Sequence, residues 1–182
     1  MKKSILISFL LMLFVSVSVF AQEEDEAIEE LDEVPSLDEL LERPKDIKVP
    51  SVDEFKNASF NLYDKVIEVR KAGEADGWPE QGIKVARFGK EYLMLVKATV
   101  VMAKDVKTVP KLKLPFAIKN FVQSKKAISH SSAHIRYMKE QFSAEEWAKF
   151  EEIVAAEEES ESEATEEVPS EEVEEDGDGR RR

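Results

Sequence analysis

The chain has 182 residues, no cysteine and a formal charge of −13, from 39 acidic and 26 basic side chains. Without cysteine there is neither a disulfide framework nor a thiol nucleophile, so a folded body has to rest on an apolar core, which one domain of this length can supply. The charge is unevenly spread: +2 over 1–21, −9 over 22–50, +6 over 51–150 and −12 over 151–182.

Residues 1–21 open with Lys2 and Lys3, run apolar from Ile5 to Phe20, and place Val19 and Ala21 where a signal peptidase reads small side chains. A helix over that apolar run would span about 24 Å, short of the roughly 30 Å hydrocarbon core, so cleavage after Ala21 is favoured over a retained anchor. The chain is therefore expected to be exported, to the periplasm or beyond, with no transmembrane helix in the mature form.

Residues 22–50 form an acidic arm expected to be mostly disordered. Within it VPSLDEL (34–40) is nearly repeated as VPSVDEF (49–55). Each copy sets a Ser three residues before a Glu, Ser36 with Glu39 and Ser51 with Glu54, which is the pattern of a helix capping box. Pro44 confines the first to a short helix near 36–43. The second opens a helical domain over 51–156, because Val52, Phe55, Ser59, Leu62, Val66 and Val69 continue at helical spacing, with Phe60, Tyr63 and Ile67 widening the face.

GEADGWPE (73–80) ends that helix, and Pro79 suits the first turn of the next. The helix to about Lys107 carries two apolar stripes, one through Val85, Phe88, Tyr92, Leu95, Thr99, Met102 and Val106, the other through Ala86, Leu93, Val96, Val100 and Ala103. Two stripes predict burial on more than one side, as in a central helix. Pro110 and Pro115 interrupt TVPKLKLPF (108–116), and a third helix runs from about Pro115 to Phe142 on Phe121, Ile128, Ile135 and Phe142. SAEE (143–146) is another capping box, starting a fourth helix with Trp147, Phe150, Ile153 and Val154 on one side. The Glu-rich tail from 157 to 182 has too few apolar residues to offset ordering and is expected to be disordered. The predicted fold is all-α, an antiparallel bundle of three long helices and a shorter fourth, flanked by acidic arms.

The strongest functional signal is a gap in the acids. Between Asp105 and Glu140 no carboxylate occurs in 34 positions, while Lys107, Lys111, Lys113, Lys119, Lys125, Lys126, Arg136 and Lys139 all fall there. Such a run is either a solvated face or a surface for an anionic partner: an acidic protein, a glycan, a membrane surface, or the chain's own acidic tails acting at high effective concentration. Nucleic acid is disfavoured, since aromatics are sparse among the cations and the arms would repel a polyanion. His130 and His134 lie four apart, one turn of a helix, which would bring both rings to its polar side. That spacing suits a transition metal, but two imidazoles want a third ligand, and Lys126 opposes a cation. Ser129, Ser131 and Ser132 flank the histidines without a nearby acid to complete a triad. No cofactor is implied and no catalytic constellation emerges. The reading is an exported, non-enzymatic binding module acting through the basic stretch 107–139, with a metal-binding helical protein or an assembly unit joined through the fourth helix as alternatives.

Overall fold

In the computed structural model, the structure describes Ile28 and residues 30–166. Residues 1–27, which include the expected signal peptide, residue 29 and residues 167–182 lie outside the described residues. Four helices follow in order: α1 (Pro50–Asp76), α2 (Gly82–Thr108), α3 (Leu114–Lys139) and α4 (Ala144–Glu166), with a 3-10 turn at Pro79–Gln81 leading into α2. All-α architecture is thus what the sequence periodicity predicted, and no described helix is long and apolar enough to cross a membrane.

The α1 stripe is buried throughout: Val52, Phe55, Ser59, Phe60, Leu62, Tyr63, Val66, Ile67 and Val69 are all inaccessible or nearly so. One end of the bundle packs Val52 and Phe55 against Met102, Val106, Val109, Ala117 and Phe121, and the other packs Leu62, Val66 and Val69 against Val85, Phe88 and Met138. α1 is buried on its widest face and touches α2 and α3, while α2 touches all three other helices, as a central helix does. The expectation for α2, that both its stripes are buried, is corrected. Its first stripe is largely inside, but Leu93, Met94, Val100 and Val101 are 56–64% exposed. The contacts of α4 on α2 fall ahead of all four. Phe150 rests on Gly82, where a Cβ would come within 2.2 Å of its ring, and Glu157 accepts from Arg87 at 2.7 and 2.8 Å. These two contacts fix α4 parallel to α2.

The capping box at Ser143 forms as expected. Glu146 accepts from the Ser143 backbone N–H at 2.9 Å, and the Ser143 hydroxyl accepts from the Glu146 N–H at 3.3 Å. The two VPS copies behave otherwise. Residues 36–39 make a turn and not the expected short helix near 36–43: Glu39 N–H bonds to the Ser36 carbonyl at 3.4 Å and Asp38 N–H to the Ser36 hydroxyl at 3.2 Å. At the second copy Pro50 already occupies the first helical turn and Val49 is the N-cap, so Ser51 lies too far inside to cap. Asp53 takes the task instead. Its two carboxylate oxygens accept from the backbone N–H groups of Ile47 (2.9 Å) and Val49 (3.1 Å), ahead of the helix.

That carboxylate also pins the largest departure from expectation. Over 30–49 the acidic arm is not loose; it runs as an irregular strap along the groove between α1 and α3. Leu37 and Leu41 pack on Phe60, Tyr63, Ile67 and Ala127. The Tyr63 hydroxyl accepts from Leu41 N–H (3.3 Å), Arg43 reaches Asn61 (2.9 Å) and Asp64 (2.6 Å), and Asn120 donates to the Lys45 carbonyl (3.1 Å). Asp46 pairs with the ammonium of Lys56, a side chain only 1% exposed. At the other end of the chain, helix continues to Glu166, past the expected boundary near 156, as the alanine- and glutamate-rich sequence permits.

Asp53→Ala removes the acceptor for two strap amides and leaves them unpaired beside a buried helix start. It is expected to destabilise the fold by about 1–3 kcal/mol in chemical denaturation. An unchanged midpoint would contradict the pinning role of Asp53.

Candidate functional site

The turn Pro110–Lys113 hands the chain into α3 with nearly helical geometry. The N–H groups of Lys113 and Leu114 bond to the Pro110 carbonyl at 2.8 and 3.1 Å, and those of Phe116 and Ala117 to the Lys113 carbonyl at 3.1 and 3.0 Å. Helical spacing therefore starts before α3 itself and aligns Leu112, Phe116 and Lys119 in one row, with Lys111, Pro115, Val122 and Lys126 beside it. The opposite side of the same turns is core, where Ala117, Phe121, Ser124 and Ile128 are buried. Leu112 is 92% exposed, Phe116 59% and Val122 45%, and Lys111, Lys119 and Lys126 are exposed among them. Lysines and large apolar side chains thus share one outward side, with no carboxylate between Lys111 and Lys126.

The other expected site residues have different placements. Lys113 donates to the Lys48 carbonyl (2.8 Å) and Arg136 to the Leu31 carbonyl (2.6 Å), so both hold the strap. Lys139 lies 4.7 Å from the centre of the Trp147 ring, at the far end of α3. Lys107 is exposed on the last turn of α2, and Lys125 is half-buried. The structure sets Lys111, Lys119 and Lys126 along one outward side and commits Lys113, Arg136 and Lys139 to contacts within the chain. The eight cations do not form a single patch.

The histidines lie inside the protein, not on a polar side. His130 is 9% exposed and His134 is fully buried. Both face α1, with the Tyr63 ring 6.1 Å from His130 and 6.4 Å from His134, centre to centre. The Arg70 guanidinium lies 2.7 Å from His134 Nδ1, donates to the Pro35 carbonyl (3.0 Å) and to Glu74 (2.8 Å), and stacks 4.5 Å from the centre of Tyr137. Because guanidinium only donates, His134 Nδ1 is the acceptor and its proton belongs on Nε2. Burial, with Arg70 and then His130 as lesser causes, pushes the His134 imidazole down to about 4. Burial and then Lys126 lower His130 as well. A cation already held against Nδ1 disfavours a metal there, and among the described residues no three His, Asp or Glu side chains cluster as ligands. The neighbouring serines are also occupied locally: Ser131 donates to the Ala127 carbonyl at 2.8 Å and is buried. Sequence reading missed this site because its partners come from α1 and from the strap; the one signal available was Tyr63 and Arg70, seven apart on α1.

No family model matches this chain, and neither a curated protein nor a solved structure is similar to it.

The histidines give the fold a defined response to acid. A folded pKa below the unfolded value means the unfolded chain takes up the proton first. The contribution is therefore complete above about pH 6.5 and lost as pH falls toward 4, amounting to roughly 3 kcal/mol for His134. His134→Gln keeps an acceptor for Arg70 but does not titrate. Its stability is expected to fall less steeply than wild type between those pH values in urea melts; equal slopes would contradict a buried neutral imidazole.

Proposed function

We propose that the protein is an exported, non-enzymatic binding module that contacts an anionic partner through the outward side of residues 111–126. One observation carries the reading: Lys111, Lys119 and Lys126 form no ion pair among the described residues, on a side of the bundle whose own sequence supplies no acid. Several cations elsewhere are matched, as in Arg43–Asp64, Lys65–Glu91, Arg70–Glu74 and Arg87–Glu157. An unmatched set of ammonium groups attracts anions over a screening length of about 8 Å at physiological ionic strength. The acidic tail is a competitor of the same sign as the partner, so it tunes affinity without defining the site.

The alternatives have less support. A metal at His130 and His134 would have to displace Arg70. Assembly through the fourth helix would have to use side chains already engaged within the chain, since Phe150 packs on Gly82 and Phe142, and Trp147 on Phe142.

The reading is tested by titrating a heparin-like polyanion across a salt series. Reversing Lys111, Lys119 and Lys126 to Glu is expected to weaken binding by more than about tenfold, at about 1 kcal/mol or more per charge near an anionic surface. Reversing Lys139, which stacks on Trp147, is expected to have little effect. Affinity that ignores salt, or that survives the triple reversal, would contradict the proposal.

A further inference from the structure

The proposed anionic-partner side has a second property that a polyanion alone does not explain. Leu112 stands almost wholly in solvent at the tip of a turn, and Phe116, one turn on, is more than half exposed. Leu112 stands in the turn that joins α2 to α3 and Phe116 in the first turn of α3, with lysines on either side. A protein partner would have to bring a pocket for each protruding side chain. A lipid bilayer needs none, because its acyl region conforms to whatever enters it, while anionic headgroups meet the lysines at the same depth.

We infer that this side docks on an anionic lipid surface, with Leu112 and Phe116 entering the boundary between headgroups and acyl chains and Lys111, Lys119 and Lys126 lying among the headgroups. The inference rests on the anionic-partner reading above and names the partner's class. From Lys111 to Lys126 a helical path covers about 22 Å, enough to lie flat across several headgroups. The acids at this end of the bundle are few. Asp46 pairs with Lys56 and Asp53 is held by two backbone amides, leaving Glu42 on the strap, Glu54 on α1 and the half-buried Asp105 on α2. Lys45, Lys48 and Lys104 add positive charge to the same end. The remainder of a chain with charge −13 is repelled by such a membrane, which leaves one orientation of approach.

Another exposed apolar set, Leu93, Met94, Val100 and Val101 on α2, also lies beside lysines. It fits an anionic bilayer less well. Carboxylates stand just ahead of it, Glu91 on α2 itself beside Lys65 and Glu157 of α4 on Arg87.

The test uses the chain from Gln22 onward, the form left by the proposed cleavage, sedimented with vesicles of phosphatidylcholine alone or mixed with phosphatidylglycerol. Binding is expected to the mixed vesicles and not to phosphatidylcholine alone. Leu112→Ser with Phe116→Ser, both on exposed positions that leave helicity unchanged, is expected to weaken vesicle binding about tenfold or more while heparin-like polyanion binding stays as it was. The Lys111, Lys119 and Lys126 reversal is expected to abolish both. Polyanion binding without vesicle binding would overturn the lipid inference and leave the anionic-partner reading standing, pointing to a glycan or acidic protein. Loss of neither ligand in the lysine variant would overturn both. Vesicle binding that is lost with Leu93→Ser and Val100→Ser, and kept by the Leu112 and Phe116 pair, would move the contact to α2.

Discussion

An ammonium group removed from water must have an anion beside it, and Lys56 is removed almost completely. Its anion, Asp46, is on the irregular chain that precedes α1. A second carboxylate, Asp53, reaches in the opposite direction, from α1 back to the amides of that same chain. Together these two pairings anchor the end of the strap nearest α1, and Arg136, Arg70, Tyr63 and Asn120 hold the remainder along the groove between α1 and α3. The buried polar groups of that groove depend on this attachment. The groove contains Tyr63, Arg70, His130 and His134, polar groups that two bare helices would leave to water. With the strap in place the rings pack together inside the protein, and Arg70 links His134 to the Pro35 carbonyl.

The strap also divides α3 into two regions with different duties. Toward its C-terminal end Arg136 holds the Leu31 carbonyl, and Ser129 and Ala133, one and two turns earlier in the same row, are buried. Toward its N-terminal end the corresponding side is open, and the lysines there have solvent on all outward sides. Similar residues therefore do different work along one helix. Lys113 and Arg136, at either end of α3, donate to strap carbonyls, while Lys111, Lys119 and Lys126, on the side the strap leaves open, carry the unmatched field of the proposed contact.

Much of this was legible in the sequence. The α1 register could be read residue by residue because a helix buried on a wide face repeats its apolar positions without interruption. Ser143 and Glu146 could be read because a capping box is local. The misreadings share a cause, namely neighbours supplied from elsewhere in the chain. His130 and His134 were assigned to water from their own helix's pattern, yet the groups that bury them are on α1 and the strap. Leu93 and Val100 were assigned to a core because they are apolar, yet both are exposed. The acidic arm was judged by composition, which hides the fact that Leu37 and Leu41 are placed to pack on Phe60 and Tyr63. The repeated VPS stretch shows how little separates the outcomes: Asp53 accepts backbone hydrogen bonds at the start of a long helix, whereas Asp38 follows a serine that closes a lone turn.

Amide hydrogen exchange at the strap is the most direct measurement of the central claim. The N–H groups of Leu41, Ile47 and Val49 bond to Tyr63 and Asp53, side chains of α1. They should exchange far more slowly than an unstructured peptide of the same sequence, and all three should lose protection together when Asp53 is replaced. Exchange at the free-peptide rate in the intact protein would show that the strap does not occupy the groove, and the buried histidines and divided α3 would lose their physical basis.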